Sequence, residues 1–110
     1  GYARASGRVA ACFVVPGPGL TNALTGMGQA YSESAPLLMV GGQNALAQLD
    51  REGGYFHELQ DSLAVARAVS GYTARVAAVA DLPKTIREAF RMMRTRRPRP
   101  AYIEVPLDVQ

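Results

Sequence analysis

The sequence predicts an α/β fold in which a parallel sheet is flanked by helices, and two observations favour this class. Short apolar runs over residues 8–15, 35–43 and 101–105 are closed by proline or glycine and show little polar alternation, which is typical of strands covered on both faces. Segments with helical spacing follow the first run and precede the last, so right-handed βαβ units are expected. The 110 residues suffice for one domain but hardly for two.

The first helix is predicted over residues 20–34, directly after the first strand. Two glycines, Gly26 and Gly28, lower its intrinsic helicity and are expected to allow close packing against the sheet. Its apolar side chains recur every three or four positions and define one buried face: Leu20, Ala23, Leu24, Met27 and Tyr31.

The second half of the chain is predicted to hold a long loop, a short strand and a helix. The polar segment 44–62 is long for a connection, and loops of that length tend to be functional or mobile. Residues 64–77 alternate weakly and are predicted to contain a short strand. Asp81 is the predicted N-cap of a helix over residues 82–96. The apolar stripe of that helix comprises Ile86, Ala89, Phe90 and Met93.

Charge and cysteine content limit the possible functions. The net charge of +3 comes largely from one arginine-rich stretch, which favours a solvated helix end over a nucleic-acid interface. The single cysteine, Cys12, rules out a disulfide framework and favours a reducing, cytoplasmic setting. No apolar run reaches membrane-spanning length, so no membrane partner is expected. The arginines are Arg87, Arg91, Arg94, Arg96, Arg97 and Arg99.

The turn "PGPGLTN" raises the question of a phosphate site. A glycine-rich turn into a helix suits an anion, but the first lysine is Lys84, far from the turn, and Asn22 stands where a dinucleotide fingerprint needs its third glycine. Pro18 also removes an N–H donor. Spacing alone leaves two readings equally open: a tight turn with Thr21 or Asn22 as helix cap, and a rigid backbone wall for a ligand.

Several co-linear motifs resemble one family over essentially the whole chain. These are "GYARASGR", "PGPGLTNALTGMGQAYSESAPLLMVGGQ" and "RRPRPAYIEVPLDVQ". They resemble the N-terminal, pyrimidine-binding domain of thiamine-diphosphate enzymes of the acetolactate synthase and 2-oxo acid decarboxylase group. The resemblance implies the thiamine-diphosphate-binding fold. Because the chain starts without methionine at what looks like the end of a helix, residues 1–110 are expected to be that domain, incomplete at its N-terminus.

The resemblance also implies a cofactor site. Gly17, Pro18 and Gly19 match the wall against the aminopyrimidine ring, Asn22 matches an asparagine near the helix start, and Gln43 matches a strand-end glutamine that lines the cleft. The diphosphate and its Mg²⁺ would be held by a separate domain, so no metal ligand is assigned here. FAD is possible in the parent protein. The parent would be at least a homodimer (or a tetramer), with the cofactor at the subunit interface.

The resemblance also bears on two acid–base groups, an activating glutamate and His57. In the family a glutamate upstream of "GYA" activates the cofactor, and none of Glu33, Glu52, Glu58, Glu88 and Glu104 matches it. The isolated chain is therefore expected to be inactive. His57, in "YFHELQD", replaces the glutamine usual in acetolactate synthases on a loop that reaches the partner's active site. Because histidine exchanges protons near neutral pH, His57 is a candidate catalytic residue, although a solvated loop residue remains the alternative.

The predicted function follows from the resemblance. The parent enzyme would decarboxylate a 2-oxo acid, and the resulting enamine would either be ligated to a second carbonyl compound, as in acetolactate synthase, or be protonated. The departure at His57 favours a decarboxylase or carboligase other than acetolactate synthase. The alternative is a non-catalytic nucleotide- or anion-binding α/β module that uses the Gly-Pro-Gly turn.

Overall fold

A four-stranded sheet, parallel throughout, forms the centre of the computed structural model, which describes residues 1–110. The spatial order is β1-β2-β4-β3, so the last strand of the chain lies between the second and the third. This confirms the predicted α/β class. The strands are β1 (Ala10–Val14), β2 (Leu37–Gln43), β3 (Tyr72–Arg75) and β4 (Ala101–Pro106). The helices are α1 (Tyr2–Ser6), α2 (Pro18–Ser32), α3 (Ser62–Arg67) and α4 (Leu82–Thr95), with 3₁₀ turns at Leu46–Gln48, Val79–Asp81 and Leu107–Val109.

The strand register gathers the carboxyl ends of the strands at one edge of the sheet. Gln43 at the end of β2 pairs with Pro106 of β4, and Arg75 at the end of β3 pairs with Glu104. The turn at residues 16–19 follows β1 at the same edge. In open parallel sheets this edge is where ligands bind.

Side chains from the two faces of the sheet form separate cores. One core lies between the sheet and helices α2 and α3, and the other lies under α4. The central strand β4 is buried along its whole length, as expected of a strand with cover on both faces. No helix is both long enough and apolar enough to cross a membrane. The first core contains Leu20, Met27, Met39, Ala66 and Tyr102; the second includes Leu38, Met92, Met93, Ile103 and Val105.

Helix α2 begins two residues earlier than predicted, and neither proposed cap is used. Gly17 is the N-cap and Pro18 the first helical residue. Thr21 and Asn22 therefore lie within the first turns of the helix, and the Thr21 hydroxyl donates to the Pro18 carbonyl at 3.3 Å. Proline suits this position because its φ is already helical and its missing N–H has no partner there.

Asp81 is the N-cap of α4, as predicted, but its side chain does not cap the helix. Asp81 precedes the helix, but its backbone is already helical (φ −82°, ψ −20°) and its side chain accepts no capping hydrogen bond, whereas a capping residue normally has an extended backbone. The Thr85 hydroxyl instead donates to the Asp81 carbonyl at 3.0 Å. The predicted apolar stripe is confirmed: Ile86, Ala89, Phe90 and Met93 all pack in the core under α4.

The segment 64–77 contains more structure than predicted. Its short strand is confirmed as β3, but helix α3 precedes it and was not predicted. Asp61 caps α3, since its Oδ1 accepts the Ala64 N–H at 2.8 Å from an extended backbone (φ −151°). Six residues are too few to display a helical period in the sequence.

The two glycines of α2 do not serve close packing against the sheet. No atom lies within 4 Å of the position that a Cβ would take at Gly26, and a Cβ at Gly28 would make only an ordinary 3.6 Å contact with Val69. The expectation of close packing is therefore wrong for Gly26, which faces solvent.

The backbone of the long loop lies directly against the turn after β1. Gly17 is buried and has φ 57° and ψ −107°, a conformation open to glycine because it lacks a Cβ. A Cβ at this position would collide with the carbonyl oxygen of His57. The missing side chain therefore allows the loop to dock on the turn.

The carboxylate of Glu58 stabilises the tip of this loop through hydrogen bonds to the backbone of the loop itself. The side chain of Glu58 accepts the backbone N–H groups of Gly53, Gly54 and Tyr55 at 3.2, 2.7 and 3.0 Å. The neighbouring His57 has φ 61°, which is uncommon for a residue other than glycine. The three hydrogen bonds to Glu58 therefore hold residues 53–55 next to this turn of the backbone.

One part of the sheet has no helical cover. A groove of about 630 Å³ runs over β1 and β2 beside α4. Phe13 and Val15 project there with exposed fractions of 77% and 56%. This part of the sheet therefore exposes apolar surface, and such surfaces promote association. The groove is lined mostly by apolar side chains, among them Phe13, Val15, Val40, Ile86, Ile103 and Val105.

We expect the isolated 110-residue chain to self-associate through this groove. Replacing Phe13 and Val15 together by threonine should lower both the light-scattering mass and the fluorescence of an apolar dye. Because both side chains are exposed, the free energy of unfolding should change by no more than about 0.5 kcal/mol for each. Phe56→Thr is the matched control, since Phe56 is 81% exposed but lies on the loop. Association that is unchanged in the double variant would contradict the assignment.

We expect Gly17→Ala to lower the free energy of unfolding by at least about 1 kcal/mol. Alanine is strained at this backbone conformation and its Cβ displaces the loop. Gly26→Ala makes the same chemical change where the space is open, so it should stabilise α2 by up to about 1 kcal/mol. Urea unfolding of both variants checks the pair. Equal effects of the two substitutions would refute the docking of loop on turn.

Candidate functional site

The Gly-Pro-Gly turn forms a rigid backbone wall and offers few donors to an anion. Pro18 has no N–H, and the Gly19 N–H donates to the Pro16 carbonyl at 3.4 Å. The Pro18 ring is exposed at the start of α2. The arrangement therefore suits the face or edge of a flat ring better than a phosphate, which needs several convergent N–H groups.

Asn22 lies one turn into α2 on its exposed side. It has no hydrogen-bond partner within the chain, so both the donor and the acceptor of its amide are free. The structure brings Asn22 to the same helix end as Gly17 to Gly19, in agreement with the predicted grouping.

Gln43 is placed at the end of β2, but its side chain is buried and bonded to the protein. Its Nε2 donates to Ser62 Oγ at 3.0 Å, and its Oε1 accepts the Asn44 N–H at 2.8 Å. The side chain is 5% exposed. A primary amide keeps one further N–H and one lone pair after these two bonds, so the role predicted for Gln43 at a ligand now depends on that remaining capacity.

A buried ionic cluster that the sequence analysis missed lies behind Gln43. Glu104 of β4 is fully buried. Its Oε2 accepts the hydroxyl of Ser62, and its Oε1 pairs with Arg75 Nε at 2.6 Å. Arg75 also reaches Asp50 of the loop, with 3.5 Å between its terminal nitrogen and Oδ2. A charged residue inside the otherwise apolar run "AYIEVP" was the available signal, because an unpaired charge is hardly ever buried.

Two pKa shifts follow from this cluster. The Tyr102 hydroxyl lies 3.4 Å from Glu104 Oε2. Burial first, and then the charge of Glu104, raise the pKa of Tyr102, so the phenol stays neutral. Burial works against the charge on Arg75, but the hydrogen bond and attraction from Glu104 outweigh it and raise the pKa of the guanidinium.

His57 lies half-buried on the loop, above the turn. Its ring stacks on Phe56 with the centroids 3.8 Å apart. Its side chain has no hydrogen-bond partner within the chain, whereas the neighbouring Phe56 carbonyl accepts the Asn44 side-chain N–H at 3.2 Å. The backbone of His57 lies against Gly17 of the Gly-Pro-Gly turn.

The carboxylates at this edge of the sheet are all engaged in structural contacts. Glu58 holds three loop amides, Glu104 is paired with Arg75, and Asp108 accepts the Leu46 N–H at 3.1 Å. No three His, Cys, Asp or Glu side chains form a cluster suited to a metal ion. The residues present therefore do not fit a Mg²⁺ site.

The arginine-rich stretch lies away from the turn. It covers the C-terminal half of α4 and the residues that follow, and because that end of α4 leads into β4 it lies at the amino edge of the sheet. Arg97 donates to Ser34 Oγ at 2.6 Å, and the Arg99 guanidinium lies 4.1 Å above the Tyr31 ring. These two side chains stabilise the C-terminal end of α2. The contacts support a structural role for the arginine-rich stretch.

Comparisons with known proteins agree with this geometry. The model of the family "Thiamine pyrophosphate enzyme, N-terminal TPP binding domain" matches residues 1–66, more than half of the chain. The probable 2-ketoarginine decarboxylase AruI of Pseudomonas aeruginosa is 42% identical over 109 residues, which cover 99% of this chain and 20% of that protein. The acetolactate synthase large subunit of Lactococcus lactis is 38% identical over 99% of this chain and 18% of its own length.

A third relative is similar to nearly the same degree. The probable acetolactate synthase large subunit of Methanococcus aeolicus is 36% identical over all of this chain and 18% of its own length. The chain thus spans about a fifth of the length of the curated relatives it matches. On the family match, and on a parallel α/β sheet with the Gly-Pro-Gly turn at its carboxyl edge, the chain belongs to the thiamine pyrophosphate (thiamine diphosphate) enzymes, as N-terminal TPP-binding domain sequence.

Proposed function

We propose that this chain is the pyrimidine-binding part of a thiamine-diphosphate-dependent enzyme that decarboxylates a 2-oxo acid. The observation that carries the proposal is the contact between the turn at Gly17 and the loop at His57. It brings the backbone of the loop that carries His57, a residue type able to exchange protons, against the rigid turn. The family match supports the cofactor, and the names of the relatives support the substrate class.

The cofactor supplies the electron sink that accepts the negative charge left when CO₂ departs. The residues of this chain contribute positioning and proton handling. The exposed Pro18 ring and the backbone of Gly19 would pack against the aminopyrimidine, while the free amide of Asn22 could orient it. His57 would hold a proton at a ring nitrogen, near the carbon from which CO₂ leaves. Delivery of this proton to the substrate carbon would favour release of an aldehyde, whereas a second carbonyl compound in place of the proton would favour a ligated product.

The choice between a decarboxylase and an acetolactate synthase rests on His57 rather than on overall identity. Identities of 42% and 38% over 109 residues differ by only about four positions and do not separate the two activities. A histidine in place of glutamine adds a proton donor at the loop. We therefore favour a decarboxylase or a carboligase other than acetolactate synthase, with 2-ketoarginine and pyruvate among the candidate substrates.

Further parts of the proposal concern the assembly. We propose at least a homodimer with the cofactor at the subunit interface, as the family resemblance implies. Mg²⁺, and FAD where it is used, would be held by residues beyond these 110. The single unpaired thiol of Cys12 supports a reducing, cytoplasmic setting.

The alternative, a nucleotide- or anion-binding module, has less support. The Gly-Pro-Gly turn offers too few free N–H groups, since Pro18 has none and that of Gly19 is bonded to Pro16. No lysine lies in or next to the turn.

The proposal is tested by assaying the full-length protein with thiamine diphosphate and Mg²⁺ against a panel of 2-oxo acids that includes pyruvate and 2-ketoarginine. We expect CO₂ release from at least one acid, dependent on thiamine diphosphate, and none from the 110-residue chain alone. Turnover by the isolated chain would show that a residue within it activates the cofactor. Failure of the full-length protein on all acids, with the cofactor bound, would refute the decarboxylase.

We expect His57→Gln in the full-length enzyme to shift products from protonated towards ligated ones. Positioned acid–base groups contribute ~10²–10⁴-fold, so the rate of protonation should fall at least tenfold while the Kd of thiamine diphosphate stays within about twofold. Aldehyde and ligated product are quantified together by chromatography. As a control, Gln60→His added to His57→Gln puts an imidazole back on the loop three residues away and should restore nothing. An unchanged product ratio in His57→Gln would make His57 an ordinary loop residue.

A further inference from the structure

Both ends and the middle of the loop over residues 44–61 are connected to one buried carboxylate. Gln43 precedes the loop and bonds to Ser62, which follows it, at 3.0 Å, and the Ser62 hydroxyl donates to Glu104. Asp50, within the loop, pairs with Arg75, whose Nε donates to Glu104 at 2.6 Å. Two chains of polar contacts, through Ser62 and through Arg75, therefore converge on the same side chain.

The burial of Glu104 makes these contacts obligatory. A buried carboxylate without partners costs several kcal/mol, and Glu104 is fully buried. Ser62 has 2% of its surface exposed, and Gln43, which bonds to Ser62, has 5%. Water therefore does not replace the Ser62 hydroxyl at Glu104. No buried side-chain nitrogen or oxygen in the protein lacks a partner. Movement of the loop ends would leave Glu104 incompletely paired.

We propose that Glu104 is a positioning residue that fixes the loop against the Gly-Pro-Gly turn and so places His57. The inference rests on the proposed function only in treating His57 as part of the site; the positioning itself concerns this chain alone. The Ser62 contact holds the two ends of the loop together, because Ser62 also bonds to Gln43. The Arg75 contact restrains the middle of the loop through Asp50. Glu58 accepts backbone N–H groups at the tip of the loop and so fixes its local conformation. Glu104 instead fixes the position of the loop relative to the sheet.

Hydrogen exchange in the full-length protein, followed by mass spectrometry, tests the proposal without relying on activity. Glu104→Gln keeps the size of the side chain and removes its charge. We expect amides over residues 44–61 to exchange at least tenfold faster, with those of β1 and β2 changed by less than twofold. Ser62→Ala should accelerate the two ends of the loop, and Arg75→Met its middle. These regional patterns would not arise from a general loss of stability.

Glu88→Gln is the matched control. It makes the same carboxylate-to-amide change at a half-buried side chain that accepts the Tyr72 hydroxyl at 3.2 Å, on α4 and away from the loop. It should leave exchange over residues 44–61 unchanged. If Glu104→Gln does not fold, Ser62→Ala and Arg75→Met carry the test, because each removes one of the two contacts.

The outcomes separate this inference from the proposed function. Uniform acceleration across the sheet and loop, or no acceleration in the loop, overturns the positioning role of Glu104. Regional acceleration in a protein that decarboxylates no 2-oxo acid supports the positioning role and refutes the proposed function. If the enzyme is active, a positioning role for Glu104 also requires that Glu104→Gln lower kcat at least tenfold. The Kd of thiamine diphosphate should stay within about threefold of its original value, because the substitution leaves the turn intact.

Discussion

The negative charge of Glu104 is buried at the centre of the sheet, and the surrounding elements are arranged to match it. Arg75 can pair with it because β3 lies next to β4 in a register that sets the two residues side by side. Ser62 can donate to it because the Asp61 cap starts α3 at that residue. A buried ion pair contributes little net stability in many proteins, but loss of one partner is strongly destabilising. The pairing therefore constrains the position of β3, α3 and the loop between β2 and α3 together.

The candidate site follows from that constraint and from backbone shape. The turn after β1 presents glycine and proline rather than charged side chains, and the loop reaches it only because Gly17 lacks a Cβ. The carbonyl oxygen of His57 then lies against the turn, and its imidazole stacks on the Phe56 ring. A site of this kind is preorganised, so little ordering would remain to be done when a ligand binds.

Regular patterns allowed most of the fold to be predicted, whereas single contacts did not. The apolar runs and the stripe from Ile86 to Met93 were enough to predict three strands and α4, because burial repeats at a fixed period. Two aspartates show the limit. Both occupy N-cap positions, but only the Asp61 side chain accepts a capping hydrogen bond, because only Asp61 has an extended backbone. Gln43 was placed correctly at the strand end, but its partner Ser62 is 19 residues away, and no local pattern records such a pairing.

The central claim is that the turn and the loop already form one surface that receives the aminopyrimidine ring. Crystal structures of the full-length protein with and without thiamine diphosphate test it most directly. The account predicts ring atoms within about 4 Å of residues 17–19 and a backbone over residues 53–58 that differs by no more than about 1 Å between the two structures. A ring bound elsewhere, or a loop that moves by more than about 2 Å to admit it, would contradict the account.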